Sequence, residues 1–203
     1  LPHSRGSVLL FADSETEPSV SDRRIYPFPH GRGSVFNPDG SRRFPHATLG
    51  SMSQVQIHST ALVAPESEIG ADVLIGPYAV VEEETVLGNG CRIGAHAVIK
   101  RYTRMGDRNL VAEGAVLGGQ PQDLSFLDAP SYLQIGDGNV FREGVTVNRA
   151  TEPEGRTRIG GSCFLMAHSH VAHECSLGSH VILANNVALA GHVTLGDHAV
   201  LGG

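Results

Sequence analysis

An aliphatic residue returns every six positions through most of this chain, and this repeat constrains the fold more than any other feature. In the last quarter of the chain the position is occupied without a gap, by Ile159, Leu165, Val171, Leu177, Leu183, Leu189, Leu195 and Leu201. Neither the 3.6-residue period of an amphipathic helix nor the two-residue period of a half-buried strand produces this spacing. A six-residue unit repeated in this way predicts an all-β chain wound into a parallel β-helix. Three hexads then form one triangular coil, and residues 18 apart stack on one face.

The same repeat starts at Ile57 and runs to Leu117 before its first interruption. A small residue or valine follows most of the aliphatic positions by four, and all three cysteines, Cys91, Cys163 and Cys175, fall in that row. We expect them to be buried free thiols that pack as small apolar groups. A chain without a disulfide framework fits a reducing compartment, so we expect a cytoplasmic protein.

Residues 1–51 differ from the rest of the chain. They are rich in Pro, Ser, Arg and Gly, and they lack the six-residue period. Such a segment buries too little apolar surface to offset the entropy of ordering it. We therefore predict a disordered or non-native N-terminal extension over residues 1–51 and a β-helix domain over residues 52–203. Because the chain stops just inside a new hexad, at Gly203, without a capping segment, we expect the domain to be incomplete at its C-terminus.

Charge and hydropathy exclude two classes of partner. A formal net charge of −6 argues against a general nucleic-acid binder, which presents a basic face to the phosphates. No apolar run approaches the roughly 20 residues of a membrane span, so we expect no integral membrane segment. An acidic substrate remains compatible with the composition, since a few local arginines suffice to bind one phosphate group.

The repeat is interrupted twice, and a histidine-rich run follows. The interruptions cover residues 118–134 and about residues 148–158, and the run is Met-Ala-His-Ser-His-Val-Ala-His-Glu at residues 166–174. Loops that leave a rigid solenoid and return in register are where binding groups tend to lie. A histidine beside a carboxylate suits general-base chemistry near neutral pH. We therefore expect the functional site where these loops meet the histidine run.

Four motifs together carry a family resemblance: Gln-Asp-Leu at 122–124, His-Ser-His-Val-Ala-His-Glu at 168–174, Leu-Ala-Asn-Asn at 183–186 and Leu-Ala-Gly-His at 189–192. With the hexads, they make residues 52–203 resemble the acyl-[acyl-carrier-protein]–UDP-N-acetylglucosamine O-acyltransferases. The resemblance implies a left-handed β-helix, a homotrimer with active sites between subunits, and a helical C-terminal domain that this sequence lacks. It also implies the first step of lipid A biosynthesis, in which an (R)-3-hydroxyacyl chain moves from acyl carrier protein to the 3-position of UDP-N-acetylglucosamine.

The resemblance also assigns roles to individual residues. It implies His173 as the general base, Glu174 as its partner in place of the more usual Asp, and Gly191 as the donor of a backbone N–H to the developing oxyanion. It implies that substrates are contacted by Gln122, Asp123, Asn148, Arg149, His170 and His192. No metal or bound cofactor is implied, since the phosphopantetheine arrives on the acyl carrier protein. Ser125 and Asn148 stand where many family members carry Lys and His, so the acceptor is either UDP-N-acetylglucosamine or its 3-amino analogue.

Several alternatives stay open at this stage. His168 and His173 have the spacing of a histidine pair in the γ-class carbonic anhydrases, but a zinc site needs a third ligand, and no histidine lies between His96 and His168. A non-catalytic hexapeptide scaffold, the N-acyltransferase of the same pathway and an acetyl-CoA-dependent sugar acetyltransferase share the repeat. We interpret four other histidines as solvated corner residues: His58, His96, His180 and His198.

Overall fold

The computed structural model describes residues 54–202, which form 22 short strands and no helix. The predicted extension over residues 1–51 lies outside the described residues. The strands follow one another at intervals of about six residues and are assigned in turn to three parallel sheets. This is the predicted left-handed parallel β-helix, and the fold class is confirmed.

Each sheet takes every third strand. Sheet one contains Gln56–Ile57 (β1), Leu74–Ile75 (β4), Arg92–Ile93 (β7), Leu110–Val111 (β10), Val140–Phe141 (β13), Phe164–Leu165 (β16), Ile182–Leu183 (β19) and Val200–Leu201 (β22). Sheet two contains Leu62–Val63 (β2), Val80–Val81 (β5), Val98–Ile99 (β8), Val116–Gly119 (β11), Thr146–Asn148 (β14), His170–Val171 (β17) and Ala188–Leu189 (β20). Sheet three contains Glu68–Ile69 (β3), Val86–Leu87 (β6), Thr103–Met105 (β9), Tyr132–Ile135 (β12), Arg156–Ile159 (β15), Ser176–Leu177 (β18) and Thr194–Leu195 (β21).

The aliphatic position of each hexad forms the core. Outside the two looped coils, strands pair in parallel with partners 18 residues apart, as Ile75 does with Ile93. Stacked residues such as Leu87, Ile99 and Leu165 are 0–1% exposed. Burying a side chain of this kind stabilises the folded state by about 1.5–3 kcal/mol. The three cysteines are buried and free in the adjoining row, as predicted. Burial raises the pKa of each thiol, so these cysteines stay protonated and unreactive.

Most of the tight turns at the corners of the coils are made by residues other than glycine. Among residues 54–202, fifteen non-glycine residues have positive φ, including His168, Glu174 and His192, against five glycines. The glycines after the aliphatic position serve a different need. A Cβ on Gly88 would lie 2.4 Å from the backbone of Gly106 in the next coil. Glycine is therefore used mainly where the backbones of neighbouring coils approach one another.

A buried amide ladder crosses three coils at one corner. The Asn139 Oδ1 atom accepts a hydrogen bond from the Cys163 backbone N–H at 2.8 Å, and its amide donates to Asn109 Oδ1 at 3.0 Å and to the Gly136 carbonyl at 3.1 Å. Both asparagines are fully buried. These bonds satisfy polar groups that would otherwise be costly in the core.

Replacing Asn139 by alanine is expected to lower the free energy of unfolding by about 1–3 kcal/mol, because the buried Cys163 N–H loses its acceptor. Chemical denaturation monitored by circular dichroism measures the change. Asn185→Ala, at an exposed corner, is the matched control and should leave the stability nearly unchanged. Equal stability of the two variants would show that the ladder contributes nothing measurable.

Within residues 54–202 there is no helix of the length and apolarity that crossing a membrane requires.

Candidate active site

Both interruptions of the repeat leave the β-helix at the same corner, between sheet two and sheet three. Met105 pairs with Ile135 and Ile135 pairs with Ile159, which are 30 and 24 residues apart instead of 18. The two coils therefore carry 12 and 6 extra residues, and the register of the core is kept. We call this edge of the β-helix the loop corner. It also carries residues 172–175 and 190–193 of the next two coils.

The interruptions are shorter in the structure than the sequence predicted. The first is the 120–131 loop and the second is the 149–155 loop, because Gly118, Gly119, Asn148 and Gln134 belong to strands. Strands β11, β12 and β15 are four residues long, and β12 pairs with β15 over its full length. Pairing at the base of each loop lengthens the strands and fixes where the loops emerge.

The ring of His173 is held by the adjacent carboxylate at this corner. His173 Nδ1 lies 2.5 Å from Glu174 Oε2, and the two side chains are 13% and 14% exposed. With Glu174 ionised, Nδ1 carries the hydrogen, and the lone pair of Nε2 points away from the carboxylate. An imidazole held in this tautomer is equipped to take a proton at Nε2.

Glu174 is itself anchored by the 149–155 loop. Its Oε1 accepts hydrogen bonds from the backbone N–H groups of Thr151 at 2.5 Å and Glu152 at 3.0 Å, and its Oε2 accepts one from the Thr151 hydroxyl at 2.7 Å. Burial alone would raise the pKa of Glu174, but these bonds and the one from His173 lower it below its ordinary value. The Glu174 carboxylate therefore stays ionised and in place.

Replacing Thr151 by valine is expected to slow the acyl transfer that the family resemblance implies by about tenfold, because the change removes a hydrogen bond to a charged group while keeping the side chain's shape. The effect should fall on kcat rather than on the acceptor KM. Steady-state kinetics measure both. Thr194→Val, at an exposed site on sheet three, is the control, and an unchanged kcat in Thr151→Val would contradict the anchoring role.

Glu174 also predicts a pH dependence of stability. A carboxyl group whose pKa is lowered on folding stabilises the protein above its unfolded pKa of about 4.3, and this contribution is lost as the pH falls through the folded value. Glu174→Gln should therefore flatten the decline in stability over this acid range. Urea unfolding at a series of pH values measures the slope. A slope equal to that of the unaltered protein would show that Glu174 does not contribute.

Gly191 lies against the His173 ring from the next coil. A Cβ at Gly191 would lie 2.5 Å from His173 Cε1 and 2.7 Å from Nε2, closer than atoms normally approach. Among residues 54–202 no backbone or side-chain acceptor receives the Gly191 N–H. The neighbouring His192 ring stands edge-on to His173, with centroids 5.3 Å apart. Glycine is therefore needed here so that the imidazole can pack against the backbone.

The 120–131 loop brings Asp123 to the open side of His173. Asp123 Oδ2 lies 3.8 Å from His173 Nε2, and Gln122 is exposed one residue before it. The Ser125 hydroxyl and backbone N–H donate to Asp123 Oδ1 at 2.7 and 2.8 Å. Both hydrogen bonds lower the pKa of Asp123 below its ordinary value, and the bond from the Ser125 hydroxyl has the larger effect. Ser125 therefore keeps this carboxylate charged and oriented.

Three other predicted site residues lie apart from this cluster. His170 is on the outer face of sheet two, where its Nδ1 lies 2.7 Å from Thr146 Oγ1 and burial lowers its pKa. Asn148 is 5% exposed and pairs with Gly119 at a bulge between β11 and β14. Arg149 is 1% exposed and packs beneath the 120–131 loop. The structure thus brings together Asp123, His173, Glu174, Gly191 and His192.

A group of possible metal ligands is present, but it is not the His168–His173 pair of the carbonic anhydrase alternative. Three possible ligand atoms lie within 4.8 Å of one another, one from each of His173, Glu174 and His192. His168 is in the turn before β17, between sheet one and sheet two, whereas His173 is in the turn after β17. The two rings therefore lie at different corners of the coil. A site of the His168–His173 type is not formed within this chain.

Sequence reasoning missed Thr151 as a partner of Glu174 and Thr146 as a partner of His170. Thr151 lies in the second interruption of the repeat, so the sequence indicated this loop but not the contact of Thr151 with Glu174. Thr146 lies 24 residues before His170, and this pairing follows from the extra residues in the coil. Neither contact has a local sequence signal, because each depends on how two coils stack.

The fold is that of a hexapeptide-repeat β-helix protein. The family described as "Bacterial transferase hexapeptide (six repeats)" matches residues 66–101. Over 126 residues the chain is 53% identical to the acyl-[acyl-carrier-protein]–UDP-N-acetylglucosamine O-acyltransferase of Cupriavidus metallidurans, a match that covers 62% of this chain and 47% of that protein.

Solved structures give the same result. LpxA from Acinetobacter baumannii superposes with a TM-score of 0.71 at 40% identity, covering 72% of this chain and 57% of that one. The UDP-N-acetylglucosamine acyltransferase from Campylobacter jejuni superposes with a TM-score of 0.70 at 42% identity, covering 73% and 58%. The chain spans about half the length of the curated relatives it matches. The resemblance predicted from the motifs is confirmed, and this chain is homologous to about half of such an acyltransferase.

Proposed function

We propose that the full-length protein transfers an (R)-3-hydroxyacyl chain from acyl carrier protein to the 3-position of UDP-N-acetylglucosamine, as the first step of lipid A biosynthesis. The observation that carries the proposal is the cluster at the loop corner, where His173 faces Asp123 on one side and Gly191 on another. Two relatives that are 53% and 50% identical to this chain over 126 and 120 residues are both named acyl-[acyl-carrier-protein]–UDP-N-acetylglucosamine O-acyltransferase.

His173 is the general base in this proposal. Its Nε2 takes the proton of the acceptor hydroxyl as the oxygen attacks the thioester carbonyl. The carbon–oxygen bond forms, the carbonyl becomes an oxyanion, and the carbon–sulfur bond then breaks. The imidazolium returns its proton to the leaving thiolate of the phosphopantetheine. Glu174, 2.5 Å from Nδ1, stabilises the imidazolium between the two proton transfers.

The Gly191 N–H is the proposed donor to the oxyanion. A backbone donor held in place costs no reorganisation when charge develops on the carbonyl oxygen. The absence of a side chain lets both the His173 ring and the substrate carbonyl approach this backbone. The base and the proposed oxyanion donor are adjacent, since a Cβ at Gly191 would lie 2.7 Å from His173 Nε2.

Asp123 is the proposed contact for the acceptor. A sugar hydroxyl that donates to Asp123 Oδ2 can place a neighbouring hydroxyl of the same sugar beside His173 Nε2, since these two atoms are 3.8 Å apart. Ser125, where many relatives carry Lys, hydrogen-bonds Asp123 instead of supplying a positive charge. An amine at the 3-position can give its proton to His173 in the same way, so the 3-amino analogue is the second acceptor to test.

The outer surfaces of the sheets support a homotrimer. Sheet one presents mainly apolar residues outward, as sheet two does in its first four strands, whereas sheet three presents mainly charged and polar ones. The outward residues of sheet two are Leu62, Val80, Val98, Val116, Thr146, His170 and Ala188. Burying such rows between copies would remove apolar surface from water and would place His170 near a subunit boundary.

No bound cofactor takes part in the proposed reaction, because the phosphopantetheine belongs to the acyl carrier protein. We propose that the reaction takes place in the cytoplasm, in agreement with three cysteines that are free and buried. The proposal involves neither nucleic acid nor a membrane segment.

Acyl transfer by the full-length protein is the deciding experiment. (R)-3-hydroxyacyl carrier protein would be incubated with UDP-N-acetylglucosamine or with its 3-amino analogue, and the products separated by mass. Transfer to either acceptor supports the proposal, and the preferred acceptor shows what Ser125 and Asn148 change. A folded trimer that acylates neither would overturn it.

The second candidate function is a metal-dependent site, which the group of His173, Glu174 and His192 favours. Elemental analysis of the purified protein distinguishes it. Stoichiometric zinc that is lost in His192→Ala, together with no acyl transfer, would support the metal site. Acyl transfer that persists after dialysis against a chelator would exclude a metal requirement.

A further inference from the structure

We propose that Arg149 is a positioning residue, whose buried guanidinium holds the 120–131 loop so that Asp123 faces His173. The consequence for transfer rests on the proposed function, whereas the effect on the loop does not. Arg149 was expected from the family resemblance to contact substrate. Its side chain is 2% exposed, and its neighbours belong to the β-helix below and to the loop above.

The guanidinium lies within cation–π distance of two aromatic rings. Its carbon lies 5.2 Å from the centroid of Tyr102, which belongs to the coil beneath, and 5.1 Å from that of Phe126 in the loop. Arginine is suited to such stacking because its planar charge is weakly hydrated. Arg149 therefore joins the loop to the rigid part of the molecule.

An ion pair fixes the returning end of the loop. Arg149 Nη2 lies 3.0 Å from Asp128 Oδ1, and the same oxygen accepts from Arg101 Nη2 at 3.1 Å and Gln120 Nε2 at 3.2 Å. The backbone N–H of Arg149 donates to the Gly119 carbonyl at 2.9 Å, where the loop begins. One buried arginine thus contacts both ends of the 120–131 loop.

The contacts continue from Phe126 to the site. The Phe126 backbone N–H donates to the Asp123 carbonyl at 3.2 Å, and Ser125 donates to the Asp123 carboxylate. Residues 123–126 therefore form one tight turn with Phe126 on Arg149 at one side and Asp123 near His173 at the other. Leu124 and Leu127 are almost fully exposed, at 108% and 90%, so they do not anchor this turn.

Arg149 also borders an open cavity, which leaves room for the loop to shift if the anchor is lost. The cavity is about 300 Å³ and is lined by Glu82, Lys100, Arg101, Gly118, Gln120 and Arg149. In the described residues, Arg149 Nε and Nη1 have no hydrogen-bond partner. The Arg149 side chain therefore holds the loop through its stacking on the two aromatic rings and its one ion pair with Asp128.

Hydrogen–deuterium exchange tests the effect on the loop without any substrate. Arg149→Met keeps the apolar stem and removes the charge, and it should raise amide exchange in residues 122–129 at least tenfold. Asp128→Asn weakens the ion pair with Arg149 by changing its exposed partner, and asparagine tolerates the left-handed backbone at this position, φ 55°. This variant should also raise amide exchange in the loop. Arg104→Met, which removes an exposed arginine stacked on Tyr132, is the control.

Kinetics test the effect on the site in the full-length protein. Arg149→Met should raise the acceptor KM about tenfold or more with a smaller change in kcat, since a displaced Asp123 binds the acceptor poorly. Arg149→Lys should not restore the KM, because an ammonium group lacks the planar, two-pronged set of donors with which a guanidinium stacks on rings and binds a carboxylate. In an Asp123→Ala background, Arg149→Met should raise KM no further.

The outcomes separate the two proposals. Unchanged exchange in both Arg149→Met and Asp128→Asn would overturn the positioning role, whatever the enzyme does. A full additional rise of KM in the Asp123→Ala background would overturn the link to Asp123. If the unaltered protein transfers no acyl group while exchange rises as expected, the proposed function fails and Arg149 remains the residue that holds the loop.

Discussion

Replacing His173 by alanine is expected to lower the rate of acyl transfer by about 10²–10⁴-fold, the usual cost of losing a general base. The change removes the Nε2 atom that takes the proton of the acceptor hydroxyl. Because His173 is 13% exposed and lies outside the aliphatic core, the β-helix should remain folded. Single-turnover assays with saturating acyl carrier protein and acceptor measure the chemical step directly.

His180→Ala is the matched control for this experiment. His180 is an exposed corner histidine that stacks on His198, with centroids 4.6 Å apart, and it contacts none of the site residues. Its removal should leave the transfer rate within about twofold, as for other surface changes away from special features. A His173→Ala protein that is folded and retains the full rate would eliminate His173 as the base.

Replacing Gly191 by alanine is expected to lower transfer by about 10²-fold, as misplacement of a catalytic group by about 1 Å does. The added methyl carbon would lie 2.7 Å from His173 Nε2, so the ring must move away from its position. The backbone at Gly191 has no positive φ, so the loss would arise from the contact and not from backbone strain. The loss should appear in kcat, with thermal stability little changed.

The control for the methyl group itself is Gly191→Ala in a His173→Ala background. With the imidazole removed, the added methyl group has no ring to displace, and it should lower transfer no further. Full activity in Gly191→Ala would show that the close approach to His173 has no part in catalysis, and the proposed oxyanion donor would need to be sought elsewhere.

The regular part of the fold was predictable from the sequence because each hexad carries its own signal. Ile75, Ile93 and Leu165 repeat at a fixed interval, and a residue at this interval can only be buried if the chain turns every six residues. The cysteine row followed from the same register. The corners were less predictable, since residues such as Tyr78 and His96 adopt positive φ that their side chains do not favour.

The candidate site was predictable in part. The motifs pointed to His173, Glu174, Gly191 and Asp123, which the structure brings together at the loop corner. The motifs did not distinguish these from Arg149, which is buried under the loop. Burial of a charged side chain beside aromatic rings depends on the path of the loop, and a loop without a repeat carries no register from which that path follows.

The sequence by itself determined the architecture of this protein, because a six-residue period specifies the coil, the core ladder and the row of small residues that packs beside it. Tertiary structure alone decided which groups work together. Thr151 reaches Glu174 across 23 positions, and Asp123 reaches His173 across 50, only because the 12 and 6 extra residues leave the coils at one corner. The physical reason is that stacked coils bring residues that are far apart in the sequence into contact, and the lengths of the loops decide which side chains meet.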